Sequence, residues 1–384
     1  MKQKLLSKLL AIAMVLTLLP AGVFAADTTV ANDVGSDPTP TVEYVAQIGE
    51  NKYTTLDEAL SEWAANGGTL KLLQDGELTD KVTVKNTGTL DLNGKTLRTG
   101  VSQALYVDGG TLTIEDSSED KSGVYESSNS RQIYINAGNV TLNSGTVKGA
   151  GGTAYGVVNV RRFNSSFTMN GGAVECTGTM TKDILDTTKG YAIVGLGTKR
   201  SNPNQITING GKVTSVGDAI YTKEGAVHYT IDGNAQVGCI TIVATSSGYP
   251  THLTFTGNAQ IDGLTVTGKY LGSFTAENTV RFKSDISDAL ATTSYGCFAA
   301  EDGTYKVDQL TEENAVAAVI DNSNKVTYYG TLTSAAKNVG AGETVKLLKD
   351  CTSAYPVKVN DAAYGMTLDL NGHNITNTNT QSTT

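Results

Sequence analysis

One short phrase recurs along this chain and constrains its fold more than any other feature. An apolar residue, Thr and a second apolar residue lead into a corner built mostly on Asn or Asp with Gly, and a second short run follows. The phrase reads VTLNSGTV from Val140, FTMNGGAV from Phe167, ITINGGKV from Ile206, YTIDGNAQV from Tyr229 and LTFTGNAQI from Leu253. Its starts are separated by 27, 39, 23 and 24 residues, the longest gap holding an insertion near 177–189. A period of this length, made of short strands, is the signature of a β-solenoid. One coil alone cannot bury its inner face, but coils stacked about 4.8 Å apart can. Alternation then places Ile206, Ile208 and Val213 inside and Thr207 and Lys212 outside.

The corner has its own physical reason. Asn and Gly tolerate the left-handed conformation that a sharp bend between two sheets demands. Asn143, Asn170 and Asn209 hold equivalent positions, with Asp232 in the next coil, so their side chains are expected to hydrogen-bond along the stack. Antiparallel hairpins with Asn-Gly turns, packed as a sandwich, also account for the corners. They do not account for the return of the whole phrase. The fold class predicted is therefore all-β: a right-handed parallel β-helix solenoid. A short N-terminal capping helix is read from TTLDEALSEWAANGG, with Thr55 and Glu58 as a capping box and Gly67 at its end. Leu56, Ala59, Leu60 and Trp63 form its apolar face.

The chain opens on a different pattern. Lys2, Lys4 and Lys8 precede the apolar run LLAIAMVLTLL, and Val23-Phe24-Ala25 offers small residues for cleavage after Ala25. This is the layout of a secretory signal peptide, and the run falls short of the ~20 residues a membrane span needs. Residues 26–41 are polar and aperiodic, as expected of a disordered linker. A first solenoid module is assigned to 42–310, a connector to 311–323, and the start of a second module to 324–384. The second module is read from repeated anchors: Leu72-Leu73-Gln74-Asp75 returns as Leu347-Leu348-Lys349-Asp350, and Leu90-Asp91-Leu92-Asn93-Gly94 as Leu368-Asp369-Leu370-Asn371-Gly372. Stopping soon after those strands, the second module reads as truncated and the chain as a piece of a longer protein.

Charge narrows the partners. With 29 Lys+Arg against 38 Asp+Glu the net charge is −9, and without the three lysines of the leader it is −12. An acidic chain argues against nucleic acid, whose phosphates need a basic face. The four cysteines lack zinc spacing, and Cys176 and Cys239 fall two coils apart, about 9.6 Å and too far for a disulfide.

The phrases YTTLDEAL, GGTLKLLQD, TLDLNGKTL, ITINGGKV, SDISDAL and EDGTYKV, spread over residues 42–375, resemble the pectin-lyase-like class of right-handed β-helix surface proteins. More closely, they are similar to multi-module proteins exported by Firmicutes of the gut type. That resemblance implies a secreted, cell-surface or adhesin-like role, often beside S-layer-homology or sortase-type anchors, and its partners would be extracellular glycans or host and cell-surface molecules.

Catalytic signatures of the class are missing. The Asn-Thr-Asp, Asp-Asp, Gly-His-Gly and Arg-Ile-Lys motifs of polygalacturonase-type hydrolases do not occur, nor does the calcium repeat GGxGxD. Asp91 and Glu115 are strand acids far apart in sequence, and hydrolysis needs a carboxyl pair. EDSSED, residues 115–120, reads either as an ion site or as a solvated loop. His228, His252 and His373 read as isolated surface residues. No catalytic residue, cofactor or metal is assigned. The binding candidates are Arg161 and Arg162, basic in an acidic chain and suited to acidic sugars, and Tyr155 and Tyr191, whose rings suit stacking on sugars. A lyase or hydrolase with an unrecognised site, and a purely structural stalk, remain the alternatives.

Overall fold

In the computed structural model the chain winds into a parallel β-solenoid of about 12 turns. The structure describes residues 42–129, 131–149, 155–162, 164–178, 190–197, 202–223, 225–268, 270–353 and 356–378. The segments read as a signal peptide and a linker, residues 1–41, lie wholly outside them, as does most of the insertion near 177–189. Glu43–Thr384 forms one compact unit.

Three columns of parallel strands make the walls. The first runs Gly68–Leu72, Thr87–Asp91, then the second halves of Leu105–Glu115 and Ile133–Leu142, and continues through Ser166–Met169, Asn204–Ile208, Val227–Ile231 and Thr251–Phe255. The second stacks Gly76–Leu78, Thr96–Thr99, Val124–Ser127, Thr146–Gly149, Ala173–Cys176 and Lys212–Ser215. The third stacks Val82–Val84, the first halves of Leu105–Glu115 and Ile133–Leu142, Val158–Val160, Ile193–Gly195 and Ile220–Lys223.

Period-two alternation sets the interior. Ile206, Ile208 and Val213 are buried, while Thr207 is half-buried and Lys212 exposed, as the sequence predicts. Aliphatic rows such as Leu70, Leu90, Ile114 and Leu142 belong to one continuous core. Each such side chain contributes about 2 kcal/mol over leaving it in water. The corners are held as expected: Asn170 Nδ2 donates to Asn143 Oδ1 at 2.9 Å, and Asn209 Nδ2 to Asn170 Oδ1 at 2.9 Å. Asp232 departs from the ladder and accepts from the N–H of Gly233 at 2.7 Å.

The solenoid starts under a cap. Ala46–Ile48 pairs antiparallel with both Asn51–Tyr53 and Gly68–Leu72. Helix α1, Leu56–Asn66, buries Ala59, Leu60 and Trp63, and the N–H of Gly67 closes it on Trp63 O. The expected capping box does not form: Thr55 is the N-cap residue but makes no side-chain hydrogen bond. The helix is held instead by its buried face, with Trp63 Nε1 donating to Gly68 O at 3.0 Å.

The same cap returns. Ala317–Ile320 pairs antiparallel with Val326–Tyr329 and with Thr344–Leu347 around helix α2, Leu332–Asn338. Its first strand lies inside the segment read as a connector, because that strand is the counterpart of Ala46–Ile48. A second, separate core fills it. Between the two modules the antiparallel hairpin of Tyr295–Ala299 and Tyr305–Gln309 interrupts the parallel stacking. Cys176 and Cys239 sit two rungs apart with the Ser215 rung between them, as the repeat arithmetic requires.

Candidate binding face

Outward positions of the third column form a line set by register: Thr83, Tyr106, Tyr134, Asn159, Val194, Tyr221 and Thr241. Parallel pairing puts equivalent side chains one rung apart, so two tyrosines on successive rungs must stack. Tyr106 and Tyr134 do so, with ring centroids 5.3 Å apart and planes 6° from parallel. The Lys81 ammonium lies 4.8 Å from the Tyr106 ring centroid. Burial, the Asp108 carboxylate and Tyr134 push the Tyr106 phenol up, and the Arg162 charge offsets them in part. Asn136 Nδ2 steadies Asp108 at 2.8 Å.

A second aromatic stands beside this line. The Arg131 guanidinium carbon lies 3.4 Å from the Tyr155 ring centroid and that of Arg161 5.7 Å from it. Asn159, buried in the line itself, donates to Tyr155 O at 2.9 Å, while its Oδ1 has no partner among the described residues. Arg161 continues the ladder past Val158–Val160, its N–H reaching Ile135 O at 3.1 Å. Tyr155, Arg161 and Arg162 therefore gather around a surface that also holds Tyr106, Lys81 and Arg131, while Tyr134, 8% exposed, backs the Tyr106 ring from within the wall. Repeat arithmetic alone would have found Tyr106 and Tyr134, since they fill one motif position a coil apart.

Tyr191 does not present its ring to solvent. It is 2% exposed, stacks on Tyr221 at 4.5 Å, and with Val194 forms a small apolar cluster outside the main core. The outward line is covered at these rungs, so Tyr191 supports the wall rather than the face.

The acids serve the backbone. Register brings Asp91 beside Glu115 on adjacent rungs. Asp91 is nevertheless engaged: its Oδ1 accepts from the N–H of Asn93 at 2.9 Å and of Ser117 at 2.8 Å, and Lys71 lies 3.7 Å from Oδ2. Within EDSSED, Asp116 is buried and accepts from the N–H groups of Gly94, Ser118 and Gly123. Burial pushes that carboxyl up, but the hydrogen bonds from Ser118, Gly123 and Gly94 outweigh it and hold it below the ordinary value. Asp120 is exposed and accepts from Ser118 and Ser122. The loop is a hydrogen-bonded corner, and among the described residues no three His, Cys, Asp or Glu groups are placed to hold a metal.

Two of the three histidines are not isolated. His228 and His252, 24 residues apart, are register partners on adjacent rungs, with ring centroids 4.4 Å apart. Burial, then the neighbouring His252, holds the His228 imidazole below its ordinary value. The spacing of the phrases at Tyr229 and Leu253 is the signal that could have paired them. His373 lies 3.3 Å from Asp350 in the second module. No helix among the described residues is long and apolar enough to cross a membrane. Compared with known proteins, this chain matches no family model, no curated protein and no solved structure, so its fold, a parallel β-solenoid of about 12 turns, is what places it.

Proposed function

We propose that this chain is a secreted, cell-surface-associated protein that binds acidic glycans on the face of Tyr106 and Tyr155 without chemically altering them. The observation that carries the reading is a pair of half-buried tyrosines, Tyr106 backed by Tyr134 and Tyr155 beside it, bordered by Lys81, Arg131, Arg161 and Arg162 in an otherwise acidic chain. Aromatic faces stack on the apolar faces of sugar rings, and guanidinium groups pair with uronate or sialate carboxylates in fork geometry. Arg131, already seated on Tyr155, orders that side chain before a ligand arrives. The lysine-flanked apolar leader supports export.

A glycan array of acidic and neutral oligosaccharides tests the reading. Acidic glycans are expected to bind, and Arg161→Ala with Arg162→Ala is expected to weaken binding at least tenfold. Equal binding of neutral and acidic glycans, or binding untouched by the double variant, overturns it. A second reading, polysaccharide cleavage, draws on the adjacency of Asp91 and Glu115. New reducing ends or unsaturated products released from pectins or mucin would establish it in place of the first. An array without any binder favours a structural stalk.

A further inference from the structure

On the outer wall of the first column, the register aligns Gln205, His228, His252 and Ser273 on four successive rungs. Their neighbours Val227, Tyr229, Thr251 and Leu253 are buried, so alternation fixes the two imidazoles on the outer surface. There they line a groove of about 500 Å3 with Pro203, Ala226, Pro250 and Tyr270. The planes of the two rings meet at 67°. His252 Nδ1 lies 2.8 Å from Ser273 Oγ, a contact that orients the ring from its Nδ1 side.

The opposite edge of that ring faces a backbone irregularity. Thr251 pairs with Leu271 but His252 pairs with Ser273, so Gly272 is the extra residue of a β-bulge. A Cβ at position 272 would lie 2.7 Å from both His252 Nε2 and Cε1. Pro250 Cβ would lie 2.7 Å from the same Cβ, so the bare backbone of Gly272 is what lets the His252 ring keep its position beside His228.

We infer that His228 and His252 form a two-imidazole site for a late first-row divalent cation such as Cu2+, Ni2+ or Zn2+. Metal–nitrogen bonds of about 2.0–2.1 Å bring two cis nitrogens to roughly 3 Å of one another. Rings one rung apart meet that requirement after rotation about the Cβ–Cγ bond of one imidazole. Imidazole suits these metals, and their affinities rise toward copper. Hard cations such as Mg2+ and Ca2+ prefer oxygen ligands and are not expected. With two protein ligands, water or a small anion from the groove completes the coordination sphere. The contact of His252 with Ser273 is the kind of outer hydrogen bond that orients a metal-ligating histidine.

The test is titration of the full chain with NiCl2 and CuCl2 at neutral pH, followed on the imidazole resonances by NMR. Paramagnetic broadening is expected first at His228 and His252, with His373 unaffected at one equivalent. His228→Gln and His252→Gln are each expected to weaken nickel affinity at least tenfold, and Gly272→Ala to weaken it by displacing the His252 ring while both histidines are kept. Broadening that begins at His373 overturns the inference. So does nickel affinity unchanged in both glutamine variants, which would assign the metal to the thiols. Broadening is read on the unaltered protein, so the site is tested even where a variant fails to fold.

Discussion

Two buried tyrosines show how much depends on a single hydroxyl. Tyr125 and Tyr229 both point into the solenoid. The Tyr229 hydroxyl meets Thr222 Oγ1 in a notch that Gly195 leaves open, where a Cβ would come within 2.3 Å of it. The Tyr125 hydroxyl has no hydrogen-bond partner among the described residues. A buried unpaired polar group costs about 1–3 kcal/mol, whereas a made hydrogen bond contributes about 1 kcal/mol. Tyr125→Phe is therefore expected to leave the urea midpoint unchanged or raise it, and Tyr229→Phe to lower stability by about 1 kcal/mol, in equilibrium unfolding. Asp116 gives a pH-dependent case. Its folded carboxyl titrates below the unfolded one, so its stabilisation is present above the unfolded value and is lost as pH falls through the folded value. Asp116→Asn should cost about 2–3 kcal/mol at neutral pH, because three backbone donors share the carboxylate. The gap between variant and parent should then close on acidification, and a gap that widens would refute this role. Neither environment was legible in the sequence. Partners such as Thr222 and Gly195 are identified only once the rung register is known.

Strands, corners and helices differ in how openly the sequence declares them. Alternation and the Asn-Gly phrases specified the coils, and side chains on both faces follow them. At the corner, Gly145, Gly172 and Gly211 stack with φ of 80°, 73° and 78°. A Cβ on Gly172 would come 2.3 Å from Gly145 O, so Gly172→Ala meets both an unfavourable left-handed backbone and a clash with the rung beside it. It is expected to cost about 2 kcal/mol or more, against about 1 kcal/mol for Asn170→Ala, which removes two exposed ladder hydrogen bonds. The helices are less candid. Thr55 with Glu58 has the capping-box spelling but no cap bond, while Thr331 Oγ1 in α2 accepts from the N–H of Ser334 at 3.1 Å. Thr331→Ala should therefore destabilise its helix by about 1 kcal/mol and Thr55→Ala by much less, as thermal melts followed by circular dichroism can check. Local spelling failed here because buried Trp63 positions α1 whether or not its first turn is capped.

Across the whole molecule, the two modules repeat in detail and differ in burial. Asn93 Nδ2 donates to Leu72 O at 2.8 Å and Asn371 Nδ2 to Leu347 O at 3.0 Å; Asp75 caps Thr96 as Asp350 caps Asn374, both at 2.8 Å. The backbone of the second module thus reproduces the first down to its corners. In the first module, rungs stack over Leu90, Leu92 and Leu97, which are 1%, 0% and 0% exposed; their counterparts Leu368, Leu370 and Ile375 are 47%, 47% and 39% exposed. In a solenoid each rung is stabilised chiefly by its neighbours, so a rung with one neighbour opens more easily than one with two. Backbone amides of Thr367–Asp369 and Ile375–Asn377 are accordingly expected to exchange with deuterium faster than those of Thr87–Asp91 and Thr96–Thr99, although the sequences nearly coincide. Equal exchange rates in the two sets of strands would mean that register and corner bonds alone stabilise a rung, and that burial by the next coil adds little.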